Sequence, residues 1–379
     1  MINSQRMAQR FKELVEIDSL SRNELDVAKK LEKILKDMGA TIHYDTAKEQ
    51  INGNCSNLVA KFKGSVDTEP LFLSGHMDTV GPGNNIKVQY ENGIFRSDGT
   101  TILGADDKSA IAIILEVMNV IFENNLDYPP VEIVFTVCEE IGLIGAKHFD
   151  YSLMDSKFGY ILDSIDPKGI VTKAPAANKI KLKVYGKAAH AGAEPENGIN
   201  AIVVASKAIA KLQLGRIDEE TTCNLGIIKG GVATNIVPEF VEIKGEARSH
   251  NEKLLKTVTD NIVNTFYDTA KQLQDESGLP RVDAIVENDF PATDIPDDHK
   301  VIRLARKAAD NIGISLESKT TGGGADANIF FNKGIFAGVL GTGMTDVHTL
   351  NESIDIKDMN STANLVLEIL KIHASGKKS

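Results

Sequence analysis

Cysteine is scarce in this sequence. Its 379 residues include 3 cysteines, Cys55, Cys138 and Cys223, far apart and without a Cys-x-x-Cys pair. An odd, scattered set speaks against a disulfide framework and for a reducing compartment. Long apolar runs are missing too. The longest, at 111–122, is interrupted by Glu116 and Asn119 and is too short to cross a bilayer. The first residues lack the apolar stretch of a secretory signal, so a cytoplasmic protein is expected. Positive charge is in deficit: Lys+Arg 42 against Asp+Glu 53 gives a formal net charge of −11. That balance weighs against nucleic acid or an anionic membrane as the main partner. Tandem repeats and low-complexity segments are absent as well.

At 379 residues the chain is long for a single core, which favours two domains. Apolar residues at helical spacing predict helices over 4–18 and 23–38, the second stopped by Gly39. Strands are expected at 57–62 and 70–74, then a strand pair around Glu91-Asn92-Gly93. A buried helix is predicted over 107–124, strands at 131–138 and 158–162, and a short helix near 143–149. Strands alternating with helices imply an α/β fold with a mainly parallel sheet.

The pattern changes after residue 178. A half-exposed strand (Ile180, Leu182, Val184) leads to a helix at 198–213. Strands at 223–229 and 238–247, a helix at 251–273 and a strand at 282–287 follow. This β-α-β-β-α-β order is that of a ferredoxin-like domain. It predicts a discontinuous first domain, 1–177 and 291–379, interrupted by an inserted domain over 178–290. In the returning segment, helices are expected at 298–312, 326–332 and 358–373, with a strand at 334–340.

The chemistry gathers at strand ends. The run Leu-Phe-Leu-Ser-Gly at 71–75 reads as a buried strand, and His76 and Asp78 follow it. Two residues apart in extended chain, they face one way. The strand at 131–138 ends in Glu139 and Glu140, and that at 158–162 in Asp163. The strand at 334–340 leads towards Asp346 and His348, and Asp106 and Asp107 begin a helix beside the same edge. Ligands of open α/β sheets bind outside the carboxyl ends of the strands. Carboxylates so crowded repel one another unless a cation compensates them. Two histidines among carboxylates suit zinc, with Mn or Co as substitutes, and the surplus of donors suggests two ions. Adjacent glutamates leaving a strand point different ways, so one can ligate while the other acts as general base.

In the inserted segment, His190 lies in a loop of small residues after a strand, and reads equally as a surface histidine. Arg248 ends another strand, as an anion anchor or a surface charge. Asn235 reads equally as a turn residue. Gly323 and Gly324, before the helix at 326, form either a flexible turn or a cradle of backbone N–H groups for a carboxylate.

Gly75-His76-Met77-Asp78-Thr79-Val80, Gly104-Ala105-Asp106-Asp107-Lys108, Glu139-Glu140-Ile141-Gly142, Asp163, His190 and His348-Thr349 occur in an order that resembles a known family. It is that of the co-catalytic zinc peptidases related to peptidase T, aminoacylase-1 and succinyl-diaminopimelate desuccinylase. The Gly-Ala-Asp-Asp-Lys and Glu-Glu-Ile-Gly forms look most like the peptidase T branch. The resemblance covers essentially the whole chain. It implies a phosphorylase/hydrolase-like catalytic domain with an inserted lid domain, and one zinc on His76, Asp106 and Asp163. A second zinc would sit on Asp106, Glu140 and His348, with Asp106 bridging and the peptide bond after it cis. Asp78 would orient the His76 ring, and Glu139 would be the general base. His190 and Arg248 would stabilise the oxyanion and grip a substrate carboxylate. The expected activity is that of an aminopeptidase or tripeptidase on short peptides, with an N-acyl-amino-acid deacylase as the alternative. A homodimer through the inserted domain is a further expectation.

Overall fold

Apolar side chains on both faces suit a strand that lies in the middle of a sheet covered by helices. The segment Leu71–His76 meets that description, with every residue buried. In the computed structural model, which describes residues 1–376, it is one of four adjacent parallel strands. Their order is Val131–Thr136, Leu71–His76, Phe158–Ser164 and Phe336–Gly341. All four therefore deliver their C-terminal ends to one edge.

Antiparallel strands flank this parallel centre. Leu58–Phe62 pairs with Val131–Thr136, and Thr41–Tyr44 lies outside it. On the other side Gly169–Ala174 runs antiparallel to Phe336–Gly341 and carries the parallel strand Glu317–Thr320. The strands at 41–44, 169–174 and 317–320 have no counterpart in the sequence reading. Glu-Ser-Lys-Thr at 317–320 shows neither alternation nor an apolar run, so only pairing defines it.

The helix Ala105–Glu123 is buried almost throughout, and with Ser4–Val15 and Ile356–Ala374 it fills the core beside the sheet. Burying one large aliphatic or aromatic side chain contributes about 1.5–3 kcal/mol. Asp106 (φ −81°, ψ 100°) and Asp107 (φ −122°, ψ 28°) take non-helical backbone at the start of this helix. Regular turns begin only at Lys108, and the Asp106–Asp107 peptide bond is cis.

The chain divides into two compact units. The first comprises Met1–Lys173, Thr293–Thr320 and Ala325–Ser379; the second comprises Ala174–Ala292 with Thr321–Gly324. The expected boundaries, 178 and 290, fall a few residues inside these. The strand Ala176–Tyr185 already includes Ala176 and Ala177, whose small side chains show no alternation. Thr321–Gly324 joins the second unit because the Gly322 carbonyl accepts from Arg248 (3.3 Å) and Gly324 lies against the Phe290 ring.

The second unit is an antiparallel sheet in the order Gly215–Arg216, Thr221–Gly230, Phe240–Ser249, Ala176–Tyr185, Arg281–Phe290. Ile180, Leu182 and Val184 face the helices Ala201–Ile209 and Glu252–Leu273, while Lys179, Lys181 and Lys183 alternate with them. The longer helix starts at Asn251, whose side chain accepts from the Lys253 and Leu254 N–H groups. It buries Leu255, Val258, Ile262 and Phe266 along one stripe.

Candidate metal centre

His76 is the last residue of its strand and is 2% exposed. Its Nε2 lies 3.0 Å from Asp106 Oδ1, and its Nδ1 lies 3.3 Å from Asp78 Oδ1. Its backbone N–H donates to Asp107 Oδ2 (3.1 Å). Glycine at 75 makes that approach possible, because a Cβ there would stand 2.7 Å from Asp107 Oδ2. On the other side of Asp106, His348 Nε2 lies 3.2 Å from Asp106 Oδ2 and 2.9 Å from Glu140 Oε2. Asp106 thus presents one carboxylate oxygen to each histidine.

Two sets of donors gather within 4.8 Å of one another: His76, Asp106 and Glu140, and His76, Asp107 and Asp163. The second differs from the set implied by family resemblance, which joins His76 and Asp163 to Asp106. Asp107 Oδ2 already accepts from the His76 backbone. Asp106 is the carboxylate that touches both imidazoles. Asp107 Oδ1, fully buried, has no hydrogen-bond partner.

Asp78 does more than face the His76 ring. Its Oδ1 accepts the Glu139 N–H (3.0 Å), and its Oδ2 accepts the Glu140 N–H (3.2 Å) and the Ser21 hydroxyl (2.7 Å). The buried carboxylate therefore fixes the backbone of both glutamates, and it shares the His76 Nδ1 with the Asp78 backbone carbonyl, which lies 3.1 Å from that nitrogen. In Asp78→Asn, either placement of the amide sets an NH2 against an N–H donor. The expected result is a loss of roughly 10–100-fold in kcat/KM with metal content unchanged. Peptide assays beside elemental analysis check it, and loss of a whole metal equivalent would make Asp78 a ligand.

Electrostatics show what the cluster requires. Burial, reinforced by Asp106, raises Asp163 well above the usual carboxylate range. Burial, reinforced by Asp163, does the same to Glu139. Asp107 and Glu140 are also raised by burial. Asp106 moves down: burial opposes this, but hydrogen bonds from His348 and His76 outweigh it. Hydrogen bonds to Asp106 and Glu140 push His348 up to about 10. Burial works against protonated His76, yet its bonds to Asp106 and Asp78 hold it well above the ordinary imidazole value.

Two residues outside the expected set join the cluster. Asp326, 3% exposed, accepts from Thr136 Oγ1 (2.6 Å), and its Oδ1 has no partner. Burial raises it to about 6, against the pull of Thr136. Lys108, fully buried, donates from Nζ to the Met77 carbonyl (2.6 Å) and Ser19 Oγ (2.8 Å). Burial draws it down to about 8 although Asp78 and Asp107 oppose the shift. One ammonium and two imidazoles do not compensate Asp78, Asp106, Asp107, Glu139, Glu140, Asp163 and Asp326. Nitrogen and oxygen donors around such an excess of negative charge fit divalent cations.

The remaining candidate residues lie in the second unit. His190 and Ile236 form a bridge beside Asn235, whose carbonyl accepts the Ala191 N–H (2.9 Å). His190 Nδ1 accepts N–H groups from Gly192 (3.2 Å) and Ala193 (3.1 Å), which leaves the proton on Nε2. Arg248 makes two bonds to the Glu246 carboxylate, at 3.0 and 3.1 Å. The Gly323 N–H donates to Thr321 Oγ1 (3.1 Å), so it is engaged within its own turn rather than offered to a carboxylate. Glycine at 324 reflects crowding: a Cβ there would stand 2.4 Å from the Phe290 ring.

Comparison with known proteins decides the family. Residues 72–372 match the model of peptidase family M20/M25/M40. The chain belongs to that family. A tripeptidase from Staphylococcus aureus is 40% identical, with a TM-score of 0.93 over 99% of this chain and 100% of that one. Aminopeptidase PepT from Bacillus cereus is 38% identical, with a TM-score of 0.88 over 99% of each chain. Peptidase T from Clostridium perfringens is 26% identical over 90% of this chain and 83% of its own. Within the family the chain stands in the peptidase T-like branch. It is a metal-dependent exopeptidase with a candidate dinuclear site, and peptides are its substrates.

Proposed function

We propose that this exopeptidase is an aminopeptidase of the tripeptidase type, releasing the N-terminal residue of short peptides with two zinc ions. The observation that carries the two-ion reading is Asp106, with one oxygen towards His76 and the other towards His348. His76, Asp106 and Asp163 would hold one ion, and Asp106, Glu140 and His348 the other. When bound, the ions supply Lewis acidity and bring water near neutral pKa. Glu139 is the general base: it takes a proton from the attacking water and delivers it to the leaving amine. Its raised affinity for protons, due first to burial, suits a group that must hold one between the two steps. Asp78 holds the Glu139 N–H and the His76 ring in place. His190, with its proton on Nε2, donates to the oxyanion, and Arg248 grips the substrate carboxylate. Asn235, Gly323 and Gly324 are the remaining candidates for substrate contact.

Digestion of a panel of tripeptides, dipeptides, N-acetyl and N-succinyl amino acids, with and without a strong chelator, tests the reading. Tripeptides should lose their N-terminal residue, and chelation should abolish the reaction. Preferential cleavage of the N-acyl compounds would make the enzyme a deacylase, and chelator-resistant activity would remove the metal mechanism.

The second unit also supports a homodimer. Strand Thr221–Gly230 pairs along one side with Phe240–Ser249, but the short strand Gly215–Arg216 covers only Thr222 and Cys223 on the other. Among the described residues, 224–230 form an open edge, and Ile227 (48%) and Ile228 (54%) on it are exposed. Edge-to-edge pairing with a second copy would close it. Light scattering should then report a dimer, and Ile228→Lys a shift towards monomer; a monomeric native protein would end this reading. No described helix is long and apolar enough to cross a membrane. The three free, buried cysteines support a cytoplasmic location, which cell fractionation would check.

A further inference from the structure

Glu352 is a buried carboxylate outside the proposed ligand set, 1% exposed. Its Oε2 accepts the backbone N–H groups of Leu103 and Gly104, both at 2.8 Å, and its Oε1 accepts that of Asp106 at 3.1 Å. Three donors from one loop converge on a single side chain that lies four residues beyond His348.

Apart from Val347 packed on the core and the His348 contacts with Asp106 and Glu140, the segment bearing His348 is bonded mainly within itself, Thr349 Oγ1 to the Asp346 carbonyl and the Asn351 N–H to Thr349 Oγ1. It joins the strands Met344–Thr345 and Ser353–Asp355, which pair with each other and, through the second, with Ile94–Ser97. Between them, Asp346, His348, Thr349, Leu350 and Asn351 are exposed. Asp346 (φ 51°) and His348 (φ 64°) take left-handed backbone, which non-glycine residues adopt at a cost. Where this exposed stretch ends, Glu352 is the buried polar anchor, and what it grips is the loop carrying the bridging aspartate. By contrast, His76 and Asp163 stand on the central strands Leu71–His76 and Phe158–Ser164, whose positions the sheet fixes.

We propose that Glu352 is a positioning residue that clamps the His348 loop to the Asp106 loop, and so sets the affinity of the ion held by Asp106, Glu140 and His348. The proposal rests on the two-ion reading. Its consequence is selective. Loosening the clamp frees His348, while the ion on His76, Asp106 and Asp163 keeps two ligands fixed by the sheet.

Glu352→Gln keeps the shape but places an amide NH2 against at least one of the three N–H donors. Metal-free native, Glu352→Gln, Glu352→Ala and His348→Ala proteins are titrated with zinc against a chromophoric competitor, with thermal melting recorded in parallel. The native protein should take up two ions. Glu352→Gln should melt near the native temperature when metal-free and lose little affinity for the first ion, which shares only Asp106 with the clamped loop. It should bind the second about 10–100-fold more weakly, in the manner of His348→Ala. Excess zinc should restore kcat in Glu352→Gln but not in His348→Ala. Native-like affinity for both ions in Glu352→Gln and Glu352→Ala overturns the proposal alone. Parallel weakening of both ions also overturns it, since that is the mark of a general folding role. Uptake of only one ion by the native protein overturns the two-ion reading and this proposal with it.

Discussion

Glu139→Ala is expected to bind the native complement of metal and to turn over peptides about 100–10,000-fold more slowly, the usual contribution of a general base. The expectation follows from where the residue sits. Glu139 and Glu140 follow the same buried strand in succession. The Glu140 carboxylate meets His348 at 2.9 Å, whereas no hydrogen bond or ion pair engages that of Glu139 among the described contacts. The Glu139 backbone is fixed by Asp78 at 3.0 Å. Truncating the side chain should therefore leave the Asp78 interactions and the histidine contacts in place. Elemental analysis should give an unchanged metal-to-protein ratio. Glu139→Gln should fail similarly, since it keeps the size but not the basicity. Near-native hydrolysis by either variant would end the assignment of Glu139 as the base.

The strands and their chemistry were legible in sequence because each carries two signals in register. An apolar run marks the strand, and the polar residues directly after it mark the edge. His76, Glu139, Glu140 and Asp163 all belong to the ends of such runs, and their three strands prove to be parallel neighbours. Asp326 and Glu352 carry no such mark. Asp326 opens a helix, where a carboxylate is locally favourable anyway, and its partner Thr136 lies 190 positions away. Glu352 ends an exposed loop and looks like a solvated acid; only folding brings it to residues 103–106, about 250 positions earlier along the chain. Asp107 shows the limit differently. Adjacent aspartates at a helix start offer no local reason for one to face both histidines and the other to turn towards a neighbouring strand. The non-helical backbone at both residues makes that division. The same dependence on distant partners hid the strands at 169–174 and 317–320.

Removing metal should produce the largest effect on stability, and one that grows with pH. In the metal-free protein, Asp163, Glu139, Asp107 and Glu140 are raised, so the folded state keeps protons that the unfolded chain releases above about pH 4. Stability from these groups is full below that pH and is lost as pH climbs through their folded values. The histidines act in the same sense. His76 and His348, raised in the folded state, stabilise it below about pH 6.5, and that contribution fades as pH rises towards their folded values, about 10 for His348. The opposing groups fall outside the window: Asp106, lowered, matters only in acid, and Lys108, lowered to about 8, matters only above that pH. Each proton held in excess by the folded state tilts stability by about 1.4 kcal/mol per pH unit. The stripped protein should therefore melt at falling temperature from pH 5 to 8, while the loaded protein, its carboxylates already ionised against the cations, changes less. Melting curves of both forms across that range check the divergence. Zinc uptake near pH 7 should release protons, visible as a buffer-dependent binding enthalpy. A stripped protein that melts at constant or rising temperature over this range would mean that the carboxylates are compensated from within the chain, and the case for cations drawn from their crowding would fall.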